Sequence, residues 1–110
     1  MTAEISARAF FGDGERTFTL TDPLLSELER ITGLGVGAIY YQFTSFAVPT
    51  ETLREIIRLG LIGGGTAPHD AKRLVETYAC NRPITELFPL AFAVLEARWT
   101  GTADKTEVTQ

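Results

Sequence analysis

The spacing of apolar positions divides the chain into one short alternating stretch followed by several helical ones. Ile5, Ala7, Ala9 and Phe11 alternate with Glu4, Ser6, Arg8 and Phe10, and further on Phe18 and Leu20 alternate with Thr17 and Thr19. A period of two predicts strands with one buried face. Gly12-Asp13-Gly14-Glu15 stands between the two runs, and Asp-Gly suits the positive φ angles of a tight turn, so residues 4–20 read as a β-hairpin. Geometry rather than phosphate binding accounts for these glycines, since no helix follows them directly. Phe10 falls on the outward face, where it is either covered by a later helix or left for a partner. A two-stranded unit is marginal by itself, so one face must pack on helices, and its free edges invite pairing with another chain.

The rest of the chain has helical periodicity. Asp22 suits an N-cap and Pro23 a first helical position, ahead of a stripe of Leu24, Leu28 and Ile31 that Gly33 closes. Next, Val36, Ile39, Tyr40 and Phe43 fit a short helix, although the β-branched and aromatic content of VGAIYYQFTSF makes a strand the alternative. Tyr40 and Phe43 read as core, and Tyr41 lies off that stripe as a candidate exposed anchor. Around Thr50–Gly63 the rest of the chain is expected to be organised. Leu53, Ile56, Ile57, Gly60 and Leu61 share one face there, with Glu51, Arg54, Glu55 and Arg58 opposite, Thr50 as N-cap and a glycine run as terminator. Pro68 opens a helix with the stripe Ala71, Leu74, Val75 and Tyr78. The last helix lies within Pro83 to Trp99 and is apolar on nearly every side, as befits the centre of a bundle or a face shared with another subunit. Pro89 costs roughly 3 kcal/mol in a helix interior, so this helix either starts near Phe88 or bends. Trp99 either caps the core or anchors an interface.

These elements predict an α+β, mostly α protein: an N-terminal β-hairpin packed on a bundle of about four to five short helices. Residues 1–100 form one domain and residues 101–110, GTADKTEVTQ, a mobile tail with too little apolar content to pack.

Composition narrows the function more than it defines it. A net charge of −4 with interspersed signs opposes nucleic-acid binding, which favours a basic face. Cys80 is the single cysteine, so no internal disulfide forms, and it reads as a small buried apolar group. The start of the chain has no signal-peptide pattern and no apolar run reaches membrane-spanning length, so the expected address is the cytoplasm. His69 is the only histidine and has no ligand-spaced companion. Gly63-Gly64-Gly65-Thr66 follows a helix and lacks the Lys-Ser or Lys-Thr of a phosphate loop, so it reads as a flexible connection. No catalytic constellation is present in the sequence, and neither a cofactor nor a metal is expected.

In chain order stand Asp13-Gly14-Glu15, Phe18-x-Leu20, Leu25-x-x-Leu28-Glu29, Gly33, Leu53-Arg54 and Gly60-Leu61, then a short helix and an apolar C-terminal helix. Over residues 5–99 this order resembles the small tail proteins of gene transfer agents and related long-tailed phages, known variously as tail tube proteins or tail assembly chaperones. The resemblance implies a non-enzymatic tail assembly chaperone that coats the tape-measure protein until tube subunits polymerise around it. A structural tail tube subunit, residing in the virion, is the alternative, and a small prophage DNA-binding regulator a third reading. Expected partners are the tape-measure protein, the tail tube protein and further copies of the chain, with no nucleic acid and no membrane. Helix-in-groove recognition needs apolar anchors, for which Phe10, Tyr41, Phe92 and Trp99 are the candidates, while Gly60 would admit a partner helix.

Overall fold

A computed structural model describes residues 4–102. The elements are β1 (Ser6–Phe11), β2 (Gly14–Thr19), α1 (Asp22–Thr32), α2 (Val36–Thr44), α3 (Thr50–Gly63), α4 (Pro68–Tyr78) and α5 (Ile84–Trp99). This is the expected α+β, mostly α arrangement of a hairpin on a helical bundle. The segment after Val36 is a helix, not the alternative strand, and it buries Ile39 and Phe43.

The strands pair antiparallel with Arg8 opposite Thr17, Ala9 opposite Arg16 and Phe10 opposite Glu15. Phe11 and Gly14 flank a two-residue turn made of Gly12 and Asp13. The positive φ falls on Gly12, at +71°, and not on Asp13. The turn is therefore of the kind that needs glycine at its first central position, one residue earlier than the Asp-Gly pair suggests. Ala7, Ala9, Phe11 and Phe18 share the inner face, where Phe11 and Phe18 are buried and meet edge to face with centroids 6.2 Å apart.

The hub is α3. Thr52, Leu53, Ile56, Ile57, Leu59, Gly60 and Leu61 are all buried, so the helix is enclosed well beyond one stripe. It packs on β2, α5, α4 and α1, whereas the more apolar α5 lies to one side of it. Hydropathy left α5 either at the centre of the bundle or on a face shared with another subunit, with α3 as the expected organising helix. The fold surrounds α3 and leaves part of the apolar surface of α5 uncovered.

Three glycines make this possible. A Cβ on Gly60 would come within 3.0 Å of Val94 and 3.2 Å of Phe18. At Gly63 it would lie 1.8 Å from the Thr19 carbonyl oxygen, and at Gly64 1.8 Å from that of Thr17. No side chain fits, and the glycine Cα–H groups face those carbonyls as in a Cα–H···O contact. The glycine run is a close-packed seam between α3 and β2, not only a flexible connection.

Helix starts depart from the expected caps. Thr21 and Pro49, not Asp22 and Thr50, occupy the N-cap positions of α1 and α3, and neither makes a side-chain cap. Asp22 serves elsewhere: Arg98 at the end of α5 donates to its carboxylate at 2.5 Å and to the Leu20 carbonyl at 3.0 Å. The first N–H of α2, on Val36, donates to Glu29 of α1 at 2.9 Å, a cap supplied from another helix. The α5 helix runs unbroken through Pro89, whose missing N–H removes the bond that the Thr85 carbonyl would accept. At the far end, the Thr102 and Glu4 backbones exchange bonds of 2.6 and 2.9 Å. Gly101 and Thr102 are thus tied down rather than part of a tail, and the expected tail from 103 to 110 lies outside the described residues.

Ile57 is fully buried in the hub helix. Truncation to Ile57→Ala should cost roughly 2–5 kcal/mol, read as a lowered urea midpoint with unchanged slope; a loss of a few tenths would contradict its place in the core.

Candidate functional site

Twenty consecutive positions from Ile31 to Thr50 carry no charge, and they include the whole of α2. The face that α2 presents beside α5 is accordingly uncharged. At this seam aromatic rings stand in a row. Phe46, just past α2, stacks on Phe88 with centroids 5.4 Å apart and planes 15° from parallel. Phe88 lies 6.4 Å from Phe92, and Phe92 lies 5.8 Å from Tyr40. Tyr40 stacks on Trp99 at 4.4 Å and 10°. Buried Phe43 forms the floor, 5.3 Å from Phe88 and 5.4 Å from Phe92. The helical repeat explains the row, because Phe88 and Phe92 are one turn apart on α5 and Tyr40 and Phe43 one turn apart on α2.

Both ends of the row reach solvent. Phe46 is 81% exposed and Trp99 is 46% exposed. Phe46 also has φ of +56°, in the left-handed region. That conformation costs a non-glycine residue about 1 kcal/mol or more, and a large apolar ring gains little from being held in water. Phe46 is thus a strained and exposed aromatic at the end of a stacked row.

The Tyr40 hydroxyl donates to Glu96 at 2.8 Å, which fixes the ring that Trp99 lies against. This hydrogen bond, with a smaller part from burial and from the carboxylate charge, raises the Tyr40 pKa above the usual phenol value. The stabilising contribution of the protonated phenol is therefore complete below the unfolded pKa and is lost as pH rises through the raised one.

The predicted anchors do not gather at one place. Phe92 and Trp99 belong to the aromatic row. Tyr41 is 69% exposed on α2 and outside the stacked pairs. Phe10, also 69% exposed, lies across the molecule on β1, beside a groove of about 540 Å³ lined by Tyr78, Pro89, Leu90 and Ala93. Gly60 is buried against Val94 and Phe18, so its small size serves packing within the chain and it offers no surface to a partner helix. The exposure of Phe46 is not visible in spacing, because the residue continues the helical repeat of Phe43; its left-handed backbone turns the ring outward.

Charged side chains form a second concavity, of about 400 Å³, between α3 and α4. Its charges are paired as Glu55–Arg58 at 2.6 Å, Glu51–Arg54 at 3.8 Å and Lys72–Glu76 at 3.8 Å. Cys80 lies half-buried at its rim, less enclosed than a core cysteine. Among the described residues no group of His, Cys, Asp and Glu is arranged to hold a metal, and no helix is long and apolar enough to cross a membrane.

Comparison with known proteins gives one finding. The model of a family described as phage tail tube protein, GTA-gp10, matches residues 4–101. No curated protein and no solved structure matches the chain.

Two measurements probe the row. In Phe46→Gly the relief of backbone strain and the lost stack should nearly cancel, leaving stability within about 1 kcal/mol of the native chain while partner binding falls; a large loss of stability with binding intact would make Phe46 structural. Trp99 is the only tryptophan, so its fluorescence reports the stack directly. That signal should change at alkaline pH as Tyr40 ionises, and Tyr40→Phe should remove this transition.

Proposed function

This chain belongs to the family of phage tail tube proteins of the gene transfer agent type, GTA-gp10, and on that footing we propose that it is a non-enzymatic structural subunit of a phage-like tail, incorporated through contacts with copies of itself. The observation that carries this reading is the extent of the family match, which takes in both strands and all five helices. The aromatic row of α2 and α5 supports it, because the α2 side of the row carries no charge that would repel another copy of an acidic chain. A wall built from such contacts belongs in the finished particle.

A second reading has its own observation. Among the described residues the fold has one two-stranded sheet and five helices. A polymerised tube usually draws on more strand than a hairpin offers, whereas grooves between helices suit an amphipathic helical partner. On this reading the protein is a tail assembly chaperone that holds the tape-measure protein along the aromatic row and leaves before the tail is complete.

Quantitative mass spectrometry of purified particles separates the two. A tube subunit should be present in many copies per particle. A chaperone should be absent from particles and co-purify with the tape-measure protein from producing cells. Absence from both would overturn a role in the tail.

A further inference from the structure

The two edges of the hairpin are not equivalent. The Thr17 and Thr19 carbonyls point at Gly64 and Gly63, so α3 covers the outer edge of β2. In an antiparallel pair, residues opposite one another turn their backbone groups either both inward or both outward. Arg8 faces Thr17 and Ser6 faces Thr19. The backbone groups of Ser6, Arg8 and Phe10 therefore point away from β2, along the outer edge of β1. Thr102 agrees with this assignment, since it pairs with the Glu4 backbone and its hydroxyl donates to the Ser6 carbonyl at 3.2 Å. Beyond Ser6, no partner for the backbone of Arg8 or Phe10 is found among the described residues.

That open edge borders the 540 Å³ groove, whose far wall is the α5 row Thr85, Pro89 and Ala93. All three are exposed and uncharged, and Arg82 and Glu86, which line the same groove, are paired with each other at 3.1 Å. We propose that the outer edge of β1 pairs antiparallel with the same edge of a second copy, joining two hairpins into one four-stranded sheet with the two α5 helices side by side on its inner face.

Charge selects the occupant and the register. Edge-to-edge pairing about a two-fold axis can set Arg8 opposite Arg8 of the second copy, which brings like charges together. A shift of the axis to Ala9 sets Arg8 opposite Phe10 of the second copy and Phe10 opposite Arg8. Both residues turn their backbone groups to this edge, so each facing pair exchanges hydrogen bonds, and each guanidinium meets an exposed ring. Arg8 keeps its 2.8 Å bond to Glu15, which lies on the other side of Phe10 in the same chain. The two edges offer equal numbers of donors and acceptors and thus complement each other.

This pairing is a property of the isolated chain. Its failure would leave the tail reading standing, and absence from particles would leave the pairing standing. The test is sedimentation of the full chain over a range of concentration, with amide exchange read at Arg8 and Phe10. A dimer of twice the 12.1 kDa chain is expected, with both amides protected in concentrated and exposed in dilute solution. Arg8→Pro removes an outward N–H and no bond to β2, so the variant should stay folded and sediment as a monomer. Phe10→Arg should weaken the dimer roughly tenfold by setting a second guanidinium opposite each Arg8. A monomer at every concentration, or a dimer indifferent to both variants, overturns the proposal. So does a chain ending at Thr102 that dimerises when the full chain does not, because residues 103–110 would then be the occupant of the edge.

Discussion

Everything in this fold depends on how closely α3 approaches the backbone of β2. Two carbonyls of the strand meet two glycines of the helix at a distance that no side chain would allow. The hairpin is thereby fixed to the hub, and Phe18 is pressed between α3 and α5 through Gly60 and Val94. A two-stranded ribbon has little stability alone, so this seam is what turns the N-terminal strands into part of the core.

The same approach creates an asymmetry. Once α3 covers the outer edge of β2, the strand is protected from adventitious pairing, in the way that edges are commonly shielded. Among the described residues the edge of β1 has no such cover past Ser6. The hub also claims the central position that α5 would otherwise take. Displaced to one side, α5 spends one face on α3, a second on the aromatic row with α2, and a third on the groove beside β1. The aromatic row and the groove beside β1 both lie along this helix.

The aromatic row shows how rigidity is given to an exposed surface. Tyr40 is held by Glu96, Trp99 lies flat on Tyr40, and Phe43 supports Phe88 and Phe92 from below. Rings already stacked have little rotamer freedom left to lose, so the row is a pre-formed surface. Phe46 continues the row into solvent at the expense of an unfavourable backbone angle.

Periodicity by itself determined the hairpin, the positions of the helices, and the buried stripe Leu53, Ile56, Ile57 and Leu61, because side-chain direction repeats with fixed period in strands and helices. It also determined that Phe10 and Tyr41 face outward. Tertiary structure decided what local pattern cannot carry. Whether Gly60, Gly63 and Gly64 are loose or tightly packed depends on what lies opposite, and only the approach of β2 and α5 answers it. How much of α5 is covered depends on its neighbours, not on its own hydropathy, and with α3 at the hub, as its pattern led one to expect, part of the apolar surface of α5 stays open. The outward turn of Phe46 rests on one backbone angle, and the covered edge of β2 on a helix that begins some thirty residues later in the chain. These are long-range and geometric facts, and a one-dimensional pattern of polar and apolar residues contains the reasons for them only in part.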